Sequence, residues 1–201
     1  GITASASFGA AIAITLGLSV AGYLWIGTAL LALVFALAVS LLIFYLGRLK
    51  GMSTSTLILS GIIMNFFFQA LQQYLQYRAS PEIAQIISGW TFGNLQRSSW
   101  MSVVVSGCLL VMGAALLSGW SWRLTVLTTG EERARSLGIN VERLRLHVFL
   151  ICSFLIAGAV GFIGTVAFVG LVAPHCAKLM LGEDQRYLLP SATILGGLML
   201  L

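Results

Sequence analysis

Long apolar stretches broken by short polar or turn-rich interruptions run the length of the chain. They cover residues 2–16, 23–46, 54–77, 100–119 and 146–181, and a last one opens at 188. About 20 apolar residues suffice for a helix to cross the hydrocarbon core of a bilayer, and a backbone with no water to bond to must satisfy itself within each segment. The pattern therefore predicts an all-α polytopic membrane protein, a helical bundle of about seven spans when 146–181 is divided in two.

That division is the open point of the pattern. Residues 146–181 cannot hold two full-length helices at about 1.5 Å per residue, so a second crossing would be partly extended, with Gly161, Gly164, Gly170 and Pro174 supplying the backbone freedom. Such a broken span is tolerated only where it is buried in protein or lines a cavity. The alternative is one long tilted helix with packing glycines. Positive residues bear on the choice, because cytoplasmic loops carry an excess of Lys and Arg. Arg48 and Lys50 fall on one side, Arg78 and Arg97 on the other, and Arg123, Arg133, Arg135, Arg143 and Arg145 back on the first. With two crossings Lys178 and Arg186 join the first side, giving nine positive residues there against two outside. The first side is then the cytoplasm.

Composition agrees: 59% of the residues are hydrophobic and only 8% charged, against about 25% charged in soluble domains. The net charge of +5 follows from topology and does not call for nucleic acid. The chain opens on Gly1 without an initiator Met and closes on Leu201 inside an apolar run, so a longer parent is expected, with 1–201 as a single transmembrane domain. The segment 80–99 (SPEIAQIISGWTFGNLQRSS) reads as a short outer-face helix and loop, with Trp90 and Trp100 spaced for an interfacial belt. Cys108, Cys152 and Cys176 read as small buried hydrophobes, and no metal-ligand spacing is present.

Chemistry is sparse. His147 and His175 are far apart and neither has a carboxylate or Cys at ligand spacing. No phosphate-cradling G-x-x-x-x-G-K-[ST] loop occurs, so any ATP would be bound with its Mg by another chain. Asn65, Gln69, Gln72, Gln73 and Gln76 recur at spacings of three and four within 54–77, which makes a polar stripe. Polar residues within spans are costly, so the stripe either bonds a neighbouring helix or lines a path for a polar solute. No Asp, Glu, Lys or Arg is embedded in a span, which argues against ion-coupled transport through a titrating carboxylate.

Seven charged residues crowd into 129–145 (TGEERARSLGINVERLR). Thr129 is placed to cap a short helix with Glu131 and Glu132 in its first turn, and Gly138 to end it at C′. Ala134 and Leu137, three apart, give a small apolar face. A short rigid helix held between two spans suits docking in a partner's groove; a solvated interfacial helix is the plainer reading.

Four segments together resemble the FecCD or vitamin B12 type of permease in ATP-binding-cassette importers for iron siderophores, haem and cobalamin. They are GITASASFGAAIAI (1–14), STSTLILSGI (53–62), GEERARSLGI (130–139) and GFIGTVAFVGLVAPHCAKLMLGEDQRYLLP (161–190). The resemblance implies ten spans in the parent subunit, a second permease copy or paralogue around a central pathway, cytoplasmic ATPase subunits and a periplasmic substrate-binding protein. It also implies the bacterial inner membrane as location and a transport subunit, not an enzyme. By the same resemblance, Gly130, Glu131, Ala134, Leu137 and Gly138 match the coupling helix that docks on the ATPase. Ser53, Thr54 and Ser55 match the loop closing the cytoplasmic end of the pathway. Asn65, Gln69, Gln72 and Gln73 are pathway candidates, and Gly164, Gly170, Pro174 and His175 match the broken span. Ferric siderophore is the first expectation for cargo, ahead of haem or cobalamin; an ion-coupled secondary transporter is the alternative from another class.

Overall fold

A computed structural model describes residues 1–18, 24–49, 53–93, 100–166 and 168–200. Within them the chain is helical and has no strand. The helices are α1 (Ile2–Leu16), α2 (Leu24–Leu49), α3 (Thr54–Arg78), α4 (Pro81–Thr91), α5 (Trp100–Ser118), α6 (Ser121–Thr128), α7 (Glu131–Ser136), α8 (Val141–Ile163), α9 (Val169–Leu181) and α10 (Gln185–Leu198). Helices α2, α3, α5 and α8 are long and apolar enough to cross a membrane; α1 and α9 are shorter apolar helices. The apolar runs thus mark nearly every long helix to within a few residues. Helix α6 was not expected, and α8 begins at Val141, inside the charged segment, because Asn140 caps it by accepting the Arg143 N–H at 3.0 Å.

The chain divides into two compact units. One comprises Gly1–Val111 with Leu146–Thr165, the other Met112–Arg145 with Val166–Leu201. In the first, α1 is the core. Ala4, Ser5, Ala6, Ser7, Gly9, Ala10, Ala11, Ala13 and Ile14 are all buried, and side chains this small let neighbouring backbones approach from several directions. A Cβ at Gly9 would lie 2.5 Å from the Leu31 carbonyl oxygen of α2. Helix α2 answers with Thr28, Ala32, Ala36 and Ser40, a buried small residue every fourth position. Phe8, Phe35 and Phe68 join α1, α2 and α3, with centroids 5.5 Å apart for Phe8–Phe35 and 6.3 Å for Phe35–Phe68.

Helix α4 starts as its sequence dictates. Ser80 accepts the Ile83 N–H and Pro81 fills the first turn, where a missing N–H costs nothing. Its Trp90 corrects the interfacial-belt expectation: it is 8% exposed and packs with Ile87, Ala157 and Val160. Trp100 is exposed. The cysteines also differ from expectation: Cys108 is exposed, and Cys152 and Cys176 are half-buried.

In the second unit α9 packs along α10, while α6 contacts both α7 and α10.

Candidate functional site

The charged segment folds into the end of α6, all of α7 and the start of α8. Thr129 does not cap α7. It is the last residue of the turn ending α6, and its hydroxyl donates to the Val126 carbonyl at 2.8 Å. Gly130 takes the N-cap position at φ 123, a conformation that an L side chain rarely adopts. The other end follows the sequence reading. Gly138 sits at C′ with φ 78, its N–H bonds the Arg135 carbonyl at 3.0 Å, and the Ile139 N–H reaches back to the Ala134 carbonyl at 3.0 Å. This is the Schellman closure, with its apolar contact made by buried Ala134 and Ile139.

That closure changes the expected apolar face. Ala134 is fully buried whereas Leu137 is 59% exposed; the alanine is spent on the chain's own packing and only the leucine is presented outward. Around Leu137 the exposed residues are Glu132, Arg133, Arg135 and Ser136. Glu131 points back: Arg145 Nη2 donates to its Oε1 at 2.5 Å. With side-chain exposures of 13% for Arg145 and 34% for Glu131, the pair belongs at the upper end of what surface ion pairs contribute. So α7 is tied to α8 by the ion pair at its start and is closed at its end by its own backbone hydrogen bonds.

A second set of contacts reaches this region from far along the chain. The Gln185 N–H donates to Thr125 Oγ1 of α6 at 3.0 Å, and Asp184 Oδ1 lies 3.4 Å from the same hydroxyl. The turn 182–184 is therefore beside the charged segment, the side on which two crossings of 146–181 would put Lys178 and Arg186. Lys50 and Arg97, also used in the charge argument, lie outside the described residues.

Ser53, Thr54 and Ser55 are exposed. Only Ser53 stands outside the helix; its Oγ accepts the Thr56 N–H at 3.2 Å and lies 2.7 Å from Thr56 Oγ1, so it is the N-cap of α3, while Thr54 and Ser55 form the first turn rather than a loop. Along the same helix the polar stripe splits. Gln72 is buried, and its Nε2 donates to Thr91 Oγ1 of α4 at 2.6 Å, so within the stripe it is a residue that bonds a neighbouring helix. Gln69 and Gln73 are exposed, and Asn65 and Gln76 are half-buried.

The break within 146–181 falls between α8 and α9. Gly164 has φ 87 and packs against the Trp90 carbonyl and Gly93, leaving no room for a Cβ. The Thr165 hydroxyl donates to the Thr91 carbonyl, and Thr91 itself donates to the Ile87 carbonyl at 2.7 Å. Gly161, Gly170 and Pro174 are not part of the break. Gly161 is inside α8, closely packed on Ala29, and Gly170 and Pro174 are inside α9. The second segment is accordingly a short helix, not an extended one; at 13 residues it is roughly 20 Å long. Pro174, lying inside α9, has no N–H to give the Gly170 carbonyl, so the helix lacks one hydrogen bond there. His175 is exposed on α9 and His147 on α8.

A family profile described as the FecCD transport family matches residues 1–201. The chain belongs to that family. Cobalamin import system permease protein BtuC of Halobacterium salinarum is 33% identical over 198 residues, 98% of this chain and 52% of the relative. Hemin transport system permease protein HmuU of Yersinia pestis is 33% identical over 170 residues, 85% of this chain and 51% of the relative. Among solved structures, one assigned as a metal-chelate type ABC transporter in an inward-facing conformation is similar with a TM-score of 0.83 and 30% identity, over 98% of this chain and 61% of that one. The chain thus spans little more than half the length of these curated relatives. Membership and the apolar helices together make it a multi-pass membrane protein of the FecCD type.

Proposed function

We propose that this chain is part of the permease subunit of an ATP-driven importer that carries a metal chelate, ferric siderophore first among the candidates, across the bacterial inner membrane by alternating access. What supports the reading above all is that the family match runs through the whole sequence, including a six-residue helix tied to α8 at its start and showing one exposed leucine among charges. In the proposed mechanism α7 docks through Leu137 and its flanking arginines on a cytoplasmic ATPase subunit that binds ATP and Mg. A ligand or partner shifts an equilibrium only by contacting the two states differently, and a short helix tied to α8 by an ion pair is a route by which such a difference reaches the spans. Ser53, Thr54 and Ser55 at the start of α3 are the proposed cytoplasmic gate, and Asn65, Gln69 and Gln73 the proposed pathway positions, facing a second permease copy or paralogue. A periplasmic substrate-binding protein delivers the chelate, and the permease makes and breaks no covalent bond.

The test is affinity capture of the full-length parent from its native membrane, with and without Leu137→Arg. An ATPase subunit recovered with the wild type and lost with the variant is the expected result. A stable, inserted wild type that brings no ATPase would favour an ion-coupled secondary transporter instead. Cobalamin and haem are the alternative cargoes, separated from ferric siderophore by competitive uptake into proteoliposomes.

A further inference from the structure

Thr125 and Asp184 have no part in the reading above, yet they join segments 59 residues apart. The Thr125 hydroxyl accepts the Gln185 N–H and donates to the Ser121 carbonyl at 3.0 Å. Gln185 opens α10, so its N–H is one of the first-turn donors with no acceptor inside the helix. Asp184 takes the neighbouring Arg186 N–H at 3.0 Å. The start of α10 is therefore capped twice, once by its own Asp184 and once by α6. In the turn before it Gly182 stands at φ 83, and Lys178 and Glu183 form an exposed ion pair at 2.6 Å. Helix α6 in turn passes into α7 without slack, since the Thr129 and Gly130 N–H groups bond the Val126 and Leu127 carbonyls at 3.1 and 3.3 Å.

We infer that Thr125 is a positioning residue that ties the coupling segment to α10, so that α6, α7 and the start of α10 move as one body when an ATPase displaces α7. The inference rests on the proposed docking role of α7. It gives that helix two mechanical outputs, the Glu131–Arg145 pair into α8 and the Thr125 contact into α10. A threonine suits the task because its hydroxyl accepts and donates at once, whereas valine has the same shape and does neither.

The experiment uses the full-length permease in nanodiscs, alone and with its ATPase, in a background where Cys108, Cys152 and Cys176 are alanine. Spin labels are placed on cysteines substituted for Ser136 and Thr193. A single narrow distance distribution that stays the same with and without trapped Mg-ATP is expected for the parent and for Thr125→Ser. Thr125→Val should shift the balance between docked and detached α10 roughly three- to tenfold toward the detached form, the shift that loss of one net hydrogen bond produces, read as a broadened distribution or a second distance. An unchanged narrow distribution in Thr125→Val would overturn the inference, as would a parent distance that changes with nucleotide. Should Thr125→Val fail to insert, Thr125→Ala removes the same hydroxyl with a smaller side chain and carries the same expectation. If no ATPase associates, the docking reading fails, while the distances in the permease alone still decide whether Thr125 holds α10.

Discussion

At the scale of single residues, two glycines of one motif behave oppositely. Gly164 has a positive φ and no space for a Cβ, whereas at Gly170 a Cβ would meet nothing within 4 Å. Gly164→Ala is expected to destabilise the protein by about 1–3 kcal/mol, and Gly170→Ala to be neutral or stabilising by at most about 1 kcal/mol; thermal unfolding of the two variants in detergent checks the order. Nothing in the sequence distinguishes these glycines, because the difference is made by the Trp90 carbonyl, more than 70 residues away. Gly138 was legible for the opposite reason: a helix-ending glycine is determined by its own backbone and the three or four residues before it. Gln72 was legible as a polar residue in a span, but its partner Thr91 was not, since helical spacing places it on a face without saying what lies opposite.

At the scale of elements, most of the helices could be read directly, since a bilayer leaves the backbone few alternatives. The exceptions are informative. Helix α6 contains Arg123 and two threonines and looks like a loop by composition; its sides are occupied by α7 and α10, contacts that no local pattern reports. For α7 the apolar pair Ala134 and Leu137 was visible, but not that the alanine would be consumed by the Schellman closure. The ion pair at its start gives a prediction of its own. Glu131→Arg and Arg145→Glu should each lower stability, and the double reversal should restore it, with a coupling of roughly 1 kcal/mol that shrinks at high salt. A double-mutant cycle on the thermal midpoint reads it, and strict additivity would mean that the pair holds nothing.

At the scale of the whole molecule, the charge argument and the fold meet in topology. A cysteine at Ser136 should be labelled only after the membrane is permeabilised, and a cysteine at Glu183 should behave in the same way, because Asp184 and Gln185 lie against α6. A cysteine at Ser98, outside the described residues, should be labelled from the external side. Labelling of Glu183 from outside would contradict two crossings of 146–181. The division of α3 into a packed edge and an exposed amide face has a consequence for biogenesis. Of the four membrane-length helices α3 is the least apolar, and Gln69 and Gln73 would have to shed water to enter lipid alone. Helices α1 and α2 pack on α3 but leave both amides uncovered, so α3 is the membrane-length helix whose passage from water into lipid costs most.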